Sequence, residues 1–330
     1  KLKMITKAKY VIPVVNGTAA LHISLSALDI LPNDEILIPS LTFIATANAV
    51  SYINAIPHFV DIEEQTLGID PFKLRNYLKK IVISKNKFSF NKMTGRRIRC
   101  LIPLHTFGHA CNILELKKVA SEFNLLIVED AAEALGSSFK GKHLGTFGDF
   151  GALSFNGNKI ITTGGGGAVL TNNIILAKRA LKLSSTAKLK HGWEFIHDEI
   201  GFNYRMPNIN AALGCAQLEK LDKFINDKRN LYQKYEEEFK CFDDLFLFKE
   251  PQFAKSNYWL NTIILSNSVK YKKNSILKYT NLNGIRTRPA WKLMNTLKPY
   301  KNTPKSDLRV SKSLYDRIIN IPSSHFLNNS

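Results

Sequence analysis

Short apolar runs alternate with helix-like stretches through the first half of the chain, and this alternation restricts the fold more than any other feature. Runs at 10–15, 35–39, 56–61, 99–105 and 125–129 have the length and apolar content of strands. Between them, helices are predicted at 42–54, from Asp70-Pro71 to Leu78, and at 114–123. The tetrapeptide Asn16-Gly17-Thr18-Ala19 opens an earlier one, with Ala20, Leu21, Leu25 and Leu28 on its apolar side. Strands that alternate with helices pair in parallel and bury both sheet faces, so the expected fold is α/β, a mostly parallel sheet between helices. Open sheets of this kind collect ligands at the carboxyl ends of their strands.

Three residues stand at such ends. Asp130 closes the apolar run Leu126-Ile127-Val128-Glu129. Ser154 closes a second apolar run, and Lys159 follows five residues later in a loop rich in Asn and Gly. A lysine amine held in a dry pocket can lose its proton and attack a carbonyl carbon. The glycine tract Gly164 to Gly167 comes next, but no Gly-Lys-Ser/Thr follows it, which excludes a P-loop. The helix start at Gly17-Thr18-Ala19 offers backbone N–H groups to an anion, and Thr18 also suits an N-cap.

Charge and cysteines narrow the class. The 330 residues carry 46 Lys and Arg against 27 Asp and Glu, a formal net charge of +19. The lysines are spread along the chain, which reads as a solvated surface rather than a nucleic-acid interface. The densest cluster, from Lys85 to Arg99, also contains Phe88 and Phe90 and is expected to be an exposed excursion before the next strand. Cys100, Cys111, Cys215 and Cys241 lack zinc or redox spacing, so no metal is expected and a reducing cytoplasm is the simplest location. No apolar run reaches the roughly 18 residues of a membrane span.

Taken in order and spacing, GTAALH from Gly17, EDAAE from Glu129, SFNGNK from Ser154, TTGGGG from Thr162 and GFNYRM from Gly201 resemble the DegT group of sugar-nucleotide aminotransferases. These are enzymes of fold type I that depend on pyridoxal 5'-phosphate. The resemblance implies that Lys159 binds the cofactor covalently and moves protons, and that Asp130 keeps its pyridine nitrogen protonated. It further implies that Ser154, Thr18 and the amide of Ala19 hold the phosphate and that Phe43 stacks on the ring. Glu133 stands where the family commonly has Gln, near the cofactor's 3-oxygen. Asn203, and with it Arg205, is expected to reach the cofactor of a neighbouring subunit in a homodimer with shared active sites. Arg288-Pro289-Ala290-Trp291, with Met294, resembles a segment near the substrate pocket. Two departures are visible: Ala110 and Asn112 replace the family's Pro and Asp, and Gly165 replaces an acid.

The resemblance implies a large cofactor-binding domain over 1–225 and a small α+β domain over 226–330, joined by a charged helix at 222–239. In the small domain a strand is predicted at 258–265, a helix at 274–282, a strand at 285–288 and a last helix at 315–319. The family normally has further elements ahead of GTAALH, so its first few dozen residues are expected to be missing here. SFNGNKIITTGGGG resembles most the members that aminate C4 of a UDP-linked 4-keto-6-deoxy-N-acetylhexosamine, with glutamate as amino donor, for bacterial surface glycans. Other readings remain, among them a truncated inactive copy and a nucleic-acid binder suggested by the net charge. Some relatives are dehydratases with His in place of the lysine, against which Lys159 argues, and a non-catalytic or regulatory scaffold is a further alternative.

Overall fold

A computed structural model describes residues 1–329. Among the described residues the largest sheet has nine strands. Its main path runs Tyr10–Val14, Gly167–Thr171, Phe150–Ser154, Leu126–Asp130, Arg97–Leu101, Glu35–Pro39 and Ile56–Val60. The last five of these pair in parallel, while the first two join antiparallel at one edge. This is the α/β fold of type I, a mixed and mostly parallel sheet between helical layers.

Side-chain alternation along each strand fills two separate cores. Ile36, Ile38, Cys100, Val128, Phe150 and Ala152 point to one face, where the helices Gly17–Ala27, Ile44–Tyr52 and Ile174–Ser184 cover them. Leu37, Leu101, Ile127 and Leu153 point to the other, packed under Pro71–Ile81 and Ile113–Glu122. Both faces are apolar, as a sheet buried on both sides requires. The helix Gly17–Ala27 is buried almost all round because other helices flank it over the sheet. Its N-terminus and the ends of Leu126–Asp130 and Phe150–Ser154 meet at one edge of the sheet.

The second half of the chain builds a four-stranded antiparallel sheet from Leu245–Leu247, Asn261–Leu265, Ile318–Ile321 and Arg288–Pro289. The long helix Leu221–Phe239 leads into it. Ties run back to the large sheet. Phe59 N–H donates to Pro304 O at 2.9 Å, and the buried carboxylate of Asp61 accepts the amides of Val310 and Ser311. Those amides begin the helix Arg309–Arg317, where an anion is favoured by the helix dipole.

Sequence expectations change in the basic excursion and at the last helix, and one short pairing escapes them. The basic excursion before the fourth large-sheet strand is a β-hairpin, Val82–Lys85 with Phe88–Asn91, whose second strand joins Arg97–Leu101. Arg97 and Arg99 lie over the Phe88 ring at 5.1 and 5.5 Å, so part of the cluster's charge is held against its own aromatic residue. The last helix spans Arg309–Arg317, and residues 318 and 319, expected within it, begin the strand Ile318–Ile321. Finally, Ala254–Lys255 pairs with Ser138–Phe139, a two-residue contact too short to leave a periodic signal.

Glu129 fixes the centre of the fold. Its side chain is fully buried and accepts hydrogen bonds from His105 Nε2 (3.0 Å) and from the amides of Gly145 (2.8 Å), Phe147 (2.6 Å) and Gly148 (2.7 Å). Burial pushes its carboxyl up, but the bond from His105 and the amides of Gly148 and Gly145 outweigh this and hold it below the ordinary range. Glu129→Ala leaves these donors unpaired and is expected to cost about 3–5 kcal/mol, measured by urea unfolding at pH 7. A depressed carboxylate stabilises above its unfolded value, about 4.3, and that contribution is lost as pH falls through the folded value. The variant should therefore lose that part of the acid dependence of stability.

Candidate active site

Segments distant in sequence converge on one cavity of about 250 Å³ at the carboxyl edge of the large sheet. Asn16, Gly17 and Thr18 contribute the start of a helix, and Asp130, Ala132 and Glu133 the end of a strand and its following turn. Ser154, Asn156, Asn158 and Lys159 come from the neighbouring strand and loop, and Phe43, Trp259 and Trp291 add aromatic walls. Strands Phe150–Ser154 and Leu126–Asp130 are parallel neighbours with Ala152 opposite Asp130, so their ends open onto the same space.

The helix start is built to approach Ser154. A Cβ at Gly17 would lie 2.8 Å from Ser154 Cβ, a distance at which something must shift, so only glycine lets the two segments come this close. Asn16 caps the helix by accepting the Ala19 amide at 2.7 Å. The Ala19 amide, expected to bind phosphate, is therefore already bonded, and Gly17 and Thr18 carry the anion-facing end. The Thr18 and Ser154 hydroxyls make no hydrogen bond within the chain among the described residues. Two free hydroxyls beside an open helix N-terminus form a site suited to a phosphate group.

The opposite end is acidic. Asp130 is buried; its Oδ2 accepts from Thr46 Oγ1 at 2.7 Å and its Oδ1 from the Ala132 amide at 3.2 Å. Among the described residues no cation pairs with it directly. Burial pushes its carboxyl up, and the Thr46 and Ala132 bonds offset only part of that. A carboxyl in this condition favours a ligand that brings a positive charge or a proton. Glu133 is equally buried, and burial raises it to about 7, with the Lys159 ammonium opposing the rise and Asp130 adding to it. Its Oε1 lies 3.4 Å from Lys159 Nζ, and its Oε2 accepts the Phe107 amide at 2.8 Å. Lys159 Nζ also sits 3.9 Å from the centre of the Trp259 ring.

Phe43 stands half exposed at the mouth, its ring 6.3 Å from that of Trp291. Asn203 and Arg205 are exposed and lie outside the cavity. Their backbone runs past the helix start instead: Arg205 bridges to Val14, Asn203 bridges to Ser185, and Val15 N–H donates to Tyr204 O. The reading from sequence missed Trp259 and Asn16 as site residues. Trp259 is 100 positions beyond Lys159 and its indole N–H donates to Asn158 O at 2.6 Å; nothing in sequence spacing marks that contact. Asn16 had a usable signal, an Asn directly before a helix.

A helix-start anion site, a buried acid without a cation and a lysine amine line one cavity suited to a phosphorylated carbonyl cofactor on an α/β scaffold. The chain belongs to the DegT/DnrJ/EryC1/StrS aminotransferase family, whose model matches residues 1–330. It is 35% identical over 318 residues to GDP-perosamine synthase of Vibrio cholerae, covering 96% of this chain and 82% of that protein. It is also 35% identical over 283 residues to the putative pyridoxal phosphate-dependent aminotransferase EpsN of Bacillus subtilis (strain 168), covering 86% and 70%. A solved DegT DnrJ EryC1 StrS aminotransferase from Brucella abortus superposes with a TM-score of 0.89 at 26% identity, covering 99% of this chain and 84% of that one. The chain is thus a pyridoxal phosphate-dependent sugar aminotransferase. No helix among the described residues is long and apolar enough to cross a membrane.

Because Gly17 sets the approach of helix and strand, Gly17→Ala is expected to raise the dissociation constant for pyridoxal phosphate about tenfold, a loss of ~1.4 kcal/mol. Equilibrium titration of the cofactor's absorbance measures it, with an unchanged circular dichroism spectrum as the folding control.

Proposed function

We propose that this chain transfers an amino group from glutamate to the C4 keto carbon of a nucleotide-linked 4-keto-6-deoxy sugar. The observation that carries the reading is the meeting of Lys159, Asp130, Glu133, Ser154 and Thr18 in one cavity. In this reading Thr18, Ser154 and the first helical amides hold the phosphate. Asp130, buried without a cation, holds a proton at the ring nitrogen. Phe43 packs against the ring from the mouth. Lys159 binds the cofactor through Nζ and, when the amino donor frees it, carries the proton between carbon atoms. Pyridoxal phosphate, when bound, supplies the electron sink for that carbon chemistry. Trp259 and Trp291 wall the cavity against water.

Two nucleotides compete for the substrate. The stretch SFNGNKIITTGGGG favours a UDP-linked N-acetylhexosamine, while the similarity to proteins named GDP-perosamine synthase favours a GDP-linked sugar. Homodimerisation belongs to the same proposal. Trp193, Phe195, Ile200 and Ile209 lie within 17 residues of one another and are each at least 80% exposed, and Asn203 sits in that segment. Large apolar side chains exposed in one short segment support an interaction surface there.

The protein with pyridoxal phosphate is expected to show a visible absorption band that glutamate alters and that Lys159→Ala lacks. Supplying keto sugars on UDP and on GDP, with mass spectrometry of the product, then identifies the nucleotide; transfer to neither sugar sinks the substrate reading. Sedimentation velocity is expected to show a dimer that Ile209→Asp dissociates, and a monomeric wild-type chain would remove the shared-site proposal.

A further inference from the structure

One contact in the cavity differs from what the resemblance implies. Glu133 stands where the family commonly has Gln, yet its position is set with more care than a contact to a cofactor oxygen needs. Oε2 is pinned at 2.8 Å by the Phe107 amide. That amide belongs to a turn in which Phe107 has φ 57° and Gly108 φ 94°. A buried phenylalanine in the left-handed region carries a conformational cost, and the turn is held in place from outside. Asn257 Nδ2 donates to Glu133 O at 2.8 Å and to Leu135 O at 2.9 Å, and a Cβ at Gly108 would fall 2.1 Å from Asn257 Oδ1. With Oε2 fixed in this way, Oε1 is left facing Lys159 Nζ at 3.4 Å.

We propose that Glu133 is the proton acceptor for Lys159. One N–H bond at Nζ breaks, an O–H bond forms at Oε1, and the electron pair of the broken N–H bond stays on nitrogen, so that Lys159 is left as the neutral amine that a carbonyl cofactor would need. The proposal rests on Lys159 being the cofactor-binding lysine. The surroundings support the transfer. Burial raises the Glu133 carboxyl to about 7, and the neighbouring ammonium is among the influences that hold it down to that value. Once the lysine's charge is gone, that restraint goes too, and the carboxyl keeps the proton. Asp130 also faces the pair and acts in the same direction. His105 acts on Asp130 from a distance, while its own ring nitrogens face Glu129 and the Cys111 amide. Lys159 Nζ meets the Trp259 ring on another side, and among the described residues no second carboxylate contacts it.

Glu133→Gln tests this without loss of the turn, since the glutamine oxygen still accepts the Phe107 amide. Difference infrared spectra on adding pyridoxal phosphate at pH about 8, above the value of about 7 to which the Glu133 carboxyl is raised, are expected to show a new protonated-carboxyl stretch in the wild type and none in the variant. Calorimetry of cofactor binding in buffers of different ionisation enthalpy is expected to show the variant releasing about one more proton per site than the wild type. A wild type with a Lys159-dependent absorption band, no new carboxyl stretch and the same proton release as the variant overturns the inference but spares the functional reading. A wild type without a Lys159-dependent band overturns both.

Discussion

Two consecutive acids in one strand point to opposite faces of the sheet, and the active-site region depends on that. Glu129 turns away from the cavity and is answered by His105 and three backbone amides. Asp130 turns toward it and is answered by one hydroxyl and one amide. The same burial thus has two outcomes. Where donors surround the carboxylate, it stays ionised and locks the loop over 145–148 beneath the sheet. Where few donors are present, the carboxyl is pushed up and stands ready for a partner from outside the chain. Period-two alternation alone separates the structural acid from the proposed catalytic one.

The elements that bury apolar faces were legible in the sequence. Glu35–Pro39 has the bounds its apolar content predicts, and the helix Pro71–Ile81 starts at the predicted Asp70-Pro71, where Asp70 supplies the side-chain cap. Asp130, Glu133, Ser154, Lys159, Thr18 and Phe43 could be gathered because each sits at a strand end, a helix start or a motif that resembles the family. What escaped has a common cause. The hairpin over 82–91 pairs mostly through backbone and carries exposed basic residues, so its strands have no continuous apolar face to read. Trp259 reaches Lys159 only because the second half of the chain folds back over the first. Contacts between distant segments leave no local periodicity.

The cost of the left-handed turn at Phe107 is offset by the packing around it. Ser137 Oγ donates to Gly108 O and accepts the Asn257 amide, while Ser256 Oγ also donates to Gly108 O. Two segments far apart in sequence, one at Ser137 and one at Ser256-Asn257, therefore restrain one turn. Buried polar networks of this kind are favourable only when fully paired. Here the pairing has a direction: it ends in the Phe107 N–H and, through Glu133, reaches the amine of Lys159.

Net charge of +19 says little about this cavity, because the groups that line it set a local field of their own. Two carboxyls and a single lysine gather at one end, and a helix N-terminus with two free hydroxyls at the other. The first end favours a proton or a cation, the second an anion. A ligand with both ends, such as a phosphorylated heteroaromatic carbonyl, is oriented before any covalent bond forms: reversed, its phosphate would meet Asp130 and Glu133 in a buried site, where like charges repel strongly. Orientation in this view comes from the order of groups along the wall. That order follows from Asp130 and Ser154 ending neighbouring parallel strands while Gly17 lets the helix start close beside Ser154.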